Sequence, residues 1–232
     1  MAQPLDMQEQ EQLDALKSFW KTYGNLITWA LIAALAVYAG LNGWKWWQRD
    51  QSTKAAAMFD QLELAAQGGD AQRTGQIFAD LKERYPRTVY AQQGGLVAAR
   101  VQFDRGQADA AKASLGWVAD NASDDEYKTV ARLRLAGLLL QAKDYDGALK
   151  QLDAAKAPTF EALVADRRGD VLLAQGKPDQ ARSAYQSAWK AMDETVEYRR
   201  LVDAKLTALG APPATAAAAS VPAATKSAEA SK

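Results

Sequence analysis

Residues 22–44, TYGNLITWALIAALAVYAGLNGW, are 23 consecutive positions without a charged side chain, lying between Lys21 and Lys45. As a helix rising about 1.5 Å per residue they reach roughly 34 Å, enough to cross a hydrocarbon core of about 30 Å. Five of the seven tryptophans lie in or beside this stretch. Trp20 and Tyr23 mark one edge and Trp44, Trp46 and Trp47 the other, where amphipathic rings favour the headgroup level. The pattern predicts one transmembrane helix with an aromatic belt over residues 22–47. It leaves a tail, 1–21, a soluble part, 48–210, and an Ala/Pro-rich end, 211–232.

The tail opens acidic (Asp6, Glu9, Glu11, Asp14) and ends basic (Lys17, Lys21), with Leu13, Leu16 and Trp20 at helical spacing. A short amphipathic helix running into the span is expected. A secretory signal peptide would have a basic start and a shorter apolar core. Ala34-Leu35-Ala36 resembles a cleavage site only in the middle of the apolar run, so an uncleaved anchor is expected. Lys17 and Lys21 on one side nearly balance Lys45, Arg49 and Lys54 on the other, so flanking charge does not set the orientation. A lone anchor before a large C-terminal domain commonly inserts with its short tail inside. Ala33, Ala36, Gly40 and Gly43 share one helical face and form a candidate helix-docking stripe in the membrane.

Absent residue types narrow the chemistry. The chain has neither cysteine nor histidine, which excludes disulfides, Cys/His zinc sites and Ser-His-Asp or Cys-His catalysis. The 28 basic and 28 acidic residues balance, which removes the electrostatic case for nucleic acid as a partner. Neither GxGxxG nor GxxxxGK[ST] occurs, so Gly68-Gly69-Asp70 is no phosphate loop. Asp124-Asp125-Glu126 reads as an acidic start to a helix, favoured at its positive end. No catalytic residue, metal ligand or cofactor is expected, and the chain does not read as an enzyme.

The soluble part follows the 3.6-residue period almost throughout, and it repeats. Lys143-Asp144-Tyr145-Asp146-Gly147-Ala148, with Leu152 one turn on, recurs 33 residues later as Gly176-Lys177-Pro178-Asp179-Gln180-Ala181 with Tyr185. An earlier copy, Gly106-Gln107-Ala108-Asp109-Ala110-Ala111 with Leu115, lies 37 residues before. Each copy has a tight turn, an Asp expected to cap the second helix, a small Ala and a large apolar residue. First helices are expected over 91–103, 130–140 and 163–174. In them Ala99, Ala136 and Gly169 each stand 12 positions before the Ala of the second helix. The pattern resembles the tetratricopeptide repeat, although the signature Trp of the first helix is missing. A more divergent pair is expected at 52–66 and 71–84, ended by Tyr85-Pro86, and a capping helix at 195–209. The expected architecture is therefore all-α: one N-terminal transmembrane helix, then a tetratricopeptide-like α-solenoid of about four helix pairs plus a capping helix. Residues 211–232 carry no large apolar side chain except Val221 and are expected to be a disordered tail.

Repeat register places Gln93, Leu96, Arg100, Phe103, Val130, Leu133, Leu140, Leu163, Asp166 and Leu173 on the concave face. That set is apolar for an exposed surface, so it reads either as a groove for extended apolar segments or as a face that capping elements cover. Arg132, Arg134, Arg167 and Arg168 read either as a basic stripe for an acidic peptide end or as solvated helix faces, and solvated faces are expected.

Glu11, Gln12, Ala15, Leu16 and Lys17 stand before the span, and Gly43–Trp47 after it read G-W-x-W-W. Together with AAAMFDQLELAA these residues closely resemble the YfgM-like family of ancillary SecYEG translocon subunits. The resemblance covers roughly residues 8–209. It implies a single-pass bacterial inner-membrane protein with a cytoplasmic N-terminus and periplasmic repeats. It also implies partners: the SecYEG translocon, a membrane-anchored periplasmic chaperone of the PpiD type, unfolded secreted clients and membrane lipid. The implied function is to hand emerging secreted proteins to chaperones through the repeats. The alternative is a membrane-tethered adaptor that sequesters a signalling or envelope-assembly factor.

Overall fold

Among the described residues, five with a left-handed backbone punctuate the chain: Gly69, Gly106, Lys143, Gly176 and Gly210. Each ends a helix in the same way. Its N–H bonds three residues back, and the next N–H bonds five residues back, as in Gly106 to Phe103 and Gln107 to Gln102. This double bond satisfies carbonyls that a helix end leaves open and turns the chain sharply enough to start an antiparallel neighbour. Four of the five positions are glycine, the residue that reaches positive φ without a Cβ penalty. Lys143, at φ 62°, is the exception. We expect Lys143→Gly to stabilise the protein by about 1 kcal/mol; an unchanged or lower midpoint in urea unfolding would contradict this.

The computed structural model describes residues 7–213, with side chains described from residue 12. The described residues form nine α-helices: α1 Met7–Gln67, α2 Ala71–Arg84, α3 Val89–Asp104, α4 Ala108–Asn121, α5 Asp125–Gln141, α6 Tyr145–Ala154, α7 Glu161–Ala174, α8 Pro178–Ala191 and α9 Arg199–Ala208. A short 3-10 turn, Pro158–Phe160, precedes α7. The ends of the chain, including residues 214–232 of the expected tail, lie outside the described residues.

Contacts divide the chain into two units between Lys54 and Ala55, where the sequence pattern had put the boundary at 48. The physical reason lies in α1, which continues unbroken as one helix through the tail, the apolar stretch and the expected helix 52–66. Its first residue packed into the repeats is Ala55, fully buried. In the first unit, α1 is long and apolar enough to cross a membrane. Apart from half-buried Ile27, its apolar side chains from Leu26 to Leu41 are exposed all round the helix. A helix apolar on every face has no stable place in water unless a core or a bilayer covers it.

In the second unit each helix from α2 to α9 packs on the next, and α5 also touches α3 and α7. The first helices of successive pairs thus form one layer and the second helices another, as in an α-solenoid. Four buried clusters fill the layers in sequence. Ala55, Leu62, Phe78, Leu81 and Ala98 form the first, and Ala99, Ala111, Leu115 and Val118 lie in the second. Ala136, Ala148, Leu152 and Val171 form the third, and Ala181, Tyr185, Ala188 and Val202 lie in the fourth. Register alanines Ala111, Ala148 and Ala181 have no exposed surface, as the close approach of paired helices requires. A Cβ on Gly169 would run into the ring of Tyr185 on α8, so the smallest residue sits where the largest partner packs.

The register aspartates do not cap their helices as expected. The N-caps are Gln107, Asp144 and Lys177, two positions earlier, because the left-handed residue fixes where the helix starts. Only Asp144 caps with its side chain, accepting from Gly147 N at 2.9 Å. Asp109 and Asp179 lie instead in the first turn, paired with Lys112 at 3.2 Å and Arg182 at 3.1 Å. Helix α5 starts at Asp125, earlier than expected, with Asp124 accepting from Glu126 N at 2.7 Å. Helix α9 starts at Arg199, later than the expected 195.

Candidate functional site

The solenoid carries an open groove of about 620 Å3 between α3, α5 and α7. Its walls are Ala99, Phe103, Leu115, Leu133, Gly137, Leu138 and Leu140, with Gln141 at one side and Arg100, Arg134 and Arg167 around them. Phe103 remains 39% exposed, a large apolar ring left facing solvent. A concavity of this size, mostly apolar with a few charged groups, suits a ligand or a peptide segment.

Four of the ten expected concave residues meet here: Arg100, Phe103, Leu133 and Leu140. The other six go elsewhere. Leu96 is buried in the α3–α4–α5 cluster and Val130 packs against it. Gln93 donates to the Tyr127 hydroxyl at 2.7 Å. Leu163 packs against the cluster under α9. Leu173 stays exposed outside the groove.

Asp166 is buried, with 2% of its side chain exposed. Lys205 of α9 donates to it at 2.8 Å and to Asp170 at 2.7 Å, and the Tyr198 hydroxyl donates to it at 2.8 Å. The concave face is therefore open between α3 and α5 and covered by the capping helix at the last pair.

Burial pushes the Tyr198 hydroxyl from its ordinary 10 up to about 12, and its hydrogen bond to Asp166 acts in the same direction. A tyrosine held protonated in the fold adds stability that is complete below pH 10 and is lost as pH rises towards 12. The wild-type melting temperature is therefore expected to fall more between pH 10 and 12 than that of Tyr198→Phe. Parallel falls in the two proteins would refute this.

The four arginines expected on solvated faces separate. Arg132 donates to the carbonyls of Ala154 and Ala119, tying α5 to neighbouring helices. Arg168 pairs with Asp153 at 2.6 Å. Arg134, which is exposed, and Arg167, which is half-buried, stand at the edge of the groove. Arg134, Gly137 and Gln141 recur at helical steps on α5, the sequence signal that could have placed them there.

In the other unit Ala33, Ala36, Gly40 and Gly43 are exposed, and a Cβ on either glycine would meet nothing within 4 Å. Near the ends of the apolar stretch Phe19 stacks on Tyr23 at 5.1 Å and Trp44 on Trp47 at 5.3 Å.

Comparison with known proteins adds two findings. Residues 17–211 match the family described as a tetratricopeptide repeat-like domain. The chain is also 34% identical over 204 residues to the ancillary SecYEG translocon subunit of Neisseria gonorrhoeae, covering 88% of this chain and 98% of that protein. It is 30% identical over 206 residues to the protein of that name in Escherichia coli, covering 87% and 96%. With the Haemophilus influenzae protein of the same name it shares 26% identity over 185 residues, 78% and 89% of the two chains.

Proposed function

Because the chain belongs to the family of ancillary SecYEG translocon subunits and carries a tetratricopeptide repeat-like domain, we propose that it is itself a membrane-anchored subunit attached to the Sec translocon. In this reading α1 crosses the bacterial inner membrane once, with the N-terminus cytoplasmic and the repeats periplasmic. The repeats work in a chaperone network, taking up emerging secreted proteins and passing them to a membrane-anchored chaperone of the PpiD type. The groove beside Phe103 and Leu133 is the observation that carries this reading, because an open apolar concavity suits transient hold on unfolded chain. The small-residue face of α1, Ala33, Ala36, Gly40 and Gly43, is the side proposed for lateral association with partner helices.

Two measurements test it. Protease added to intact spheroplasts should cut the repeats; cleavage only after lysis would overturn the periplasmic placement. A photo-crosslinker at Leu133 or Phe103 in secreting cells should give a spread of client products, and one at Gln186, exposed on α8, should give few. One product of fixed mass from the groove would favour the adaptor that sequesters a single factor.

A further inference from the structure

The groove is more specific in charge than in shape. Three guanidinium groups border it and, among the described residues, no carboxylate lines it. The whole chain is neutral, so this local excess is not a general property of the surface. Arg100 lies 3.9 Å from Asp104, with both side chains well exposed, a geometry that compensates little. Arg167 is 3.5 Å from Asp170, but Asp170 also accepts from Lys205 at 2.7 Å and from Tyr185 at 2.9 Å.

Arg134 forms no ion pair among the described residues; its one bond is a 3.4 Å donation to the Leu96 carbonyl. Desolvation by the groove wall, and then the neighbouring Arg100, hold its guanidinium below the usual range, although the side chain is exposed overall. Arg132 and Arg168, on the same two helices, do find acceptors within the fold. Of the four arginines on α5 and α7, the two left incompletely compensated are thus the two at the groove.

We propose that the groove selects extended apolar peptide segments that carry Asp or Glu side chains, and turns away segments whose apolar run is flanked by Lys or Arg. This rests on the reading of the groove as a client site and adds the chemistry of the client. Apolar side chains would lie against Phe103, Leu133 and Leu140 while a carboxylate meets Arg134, whose guanidinium fork has no ion-pair partner among the described residues. Secretory signal peptides begin basic and continue apolar. They would bring like charge to this rim, so the groove would favour mature regions of a secreted chain over its leader.

The test uses the full chain in nanodiscs of neutral phosphatidylcholine. The probes are three dye-labelled peptides of Leu, Val and Ser that differ only in carrying two Glu, two Gln or two Lys. Fluorescence anisotropy should rank them Glu, then Gln, then Lys, with about a fivefold gap at each step. The gaps should shrink as salt rises from about 0.1 to 1 M, where screening falls to about 3 Å. The double variant Arg134→Gln/Arg167→Gln should bind all three as the wild type binds the Gln peptide, with an unchanged melting curve showing that it folds. Leu133→Ser should weaken all three.

If all peptides bind equally and Leu133→Ser abolishes binding, the client groove stands and the charge selection falls. A ranking that persists in the double arginine variant also overturns the selection. If no peptide binds the wild type, both readings fall.

Discussion

Replacing Lys205 with Met should cost about 2–3 kcal/mol and lower the melting temperature by roughly 5–10 °C. Removing one partner of a buried ion pair costs about 3–5 kcal/mol because the other charge stays behind without compensation. The lower figure is used here because Lys205 and Asp170 each keep 21% of their side-chain surface exposed and water can reach part of the network. Asp166, with 2% exposed, cannot be rehydrated while α9 remains docked. The cheapest response is local: α9 lifts, and Tyr198 leaves with it. Trypsin should then cut after Arg199 or Arg200 long before the rest of the solenoid unfolds. Adding Asp166→Asn to Lys205→Met should recover part of the loss, because the stranded charge is gone. A single variant as stable and as protease-resistant as the wild type would show that the pair does not hold the cap.

Gly169→Ala and Gly116→Ala should move stability in opposite directions. Both glycines lie inside helices, where Ala is intrinsically better by about 1 kcal/mol. At Gly116 a Cβ would enter open space, so that gain should be realised almost in full. At Gly169 the Cβ would overlap several ring carbons of Tyr185, whose ring is itself 1% exposed and cannot step aside. Pushing α7 away from α8 costs about 1–3 kcal/mol and occasionally more, as in other overpacked cores. A net loss of about 1–2 kcal/mol is expected. Gly169→Ala combined with Tyr185→Leu should be less damaging than the two single losses added. The check is urea unfolding of the wild type and the four variants; equal shifts for Gly116→Ala and Gly169→Ala would dismiss the packing argument.

The repeat skeleton was legible because its determinants are local. Gly68-Gly69-Asp70 and Tyr85-Pro86 mark both ends of α2, and the expected 71–84 is the helix found. The 12-residue step from Ala99 to Ala111, Ala136 to Ala148 and Gly169 to Ala181 located the pairings of α3 with α4, α5 with α6 and α7 with α8. What stayed hidden depends on distant partners. Asp166 shares its register position with open concave residues, and only Tyr198 and Lys205, more than thirty residues on, bury it. Arg134 and Arg132 look alike two positions apart. One finds carbonyls on α4 and α6, and the other reaches only that of Leu96 and faces the groove. The caps were misplaced by two residues for a different reason, since the backbone turn, not the acidic side chain, sets the first helical residue.

The way α9 is fastened bears on how copies of this protein can add to one another. A stack of near-identical helix pairs invites end-to-end growth, because the last pair offers the same apolar face that its predecessors bury, and a heterologous contact of that kind has no natural limit. Here the terminal face is occupied by Val202 and Leu206, both buried, and α9 is held to α7 through Lys205 and Tyr198. A loosened α9 would expose that face again. Loss of this one fastening could thus turn a self-limited particle into a seed for filaments, with consequences well beyond the few kcal/mol it contributes.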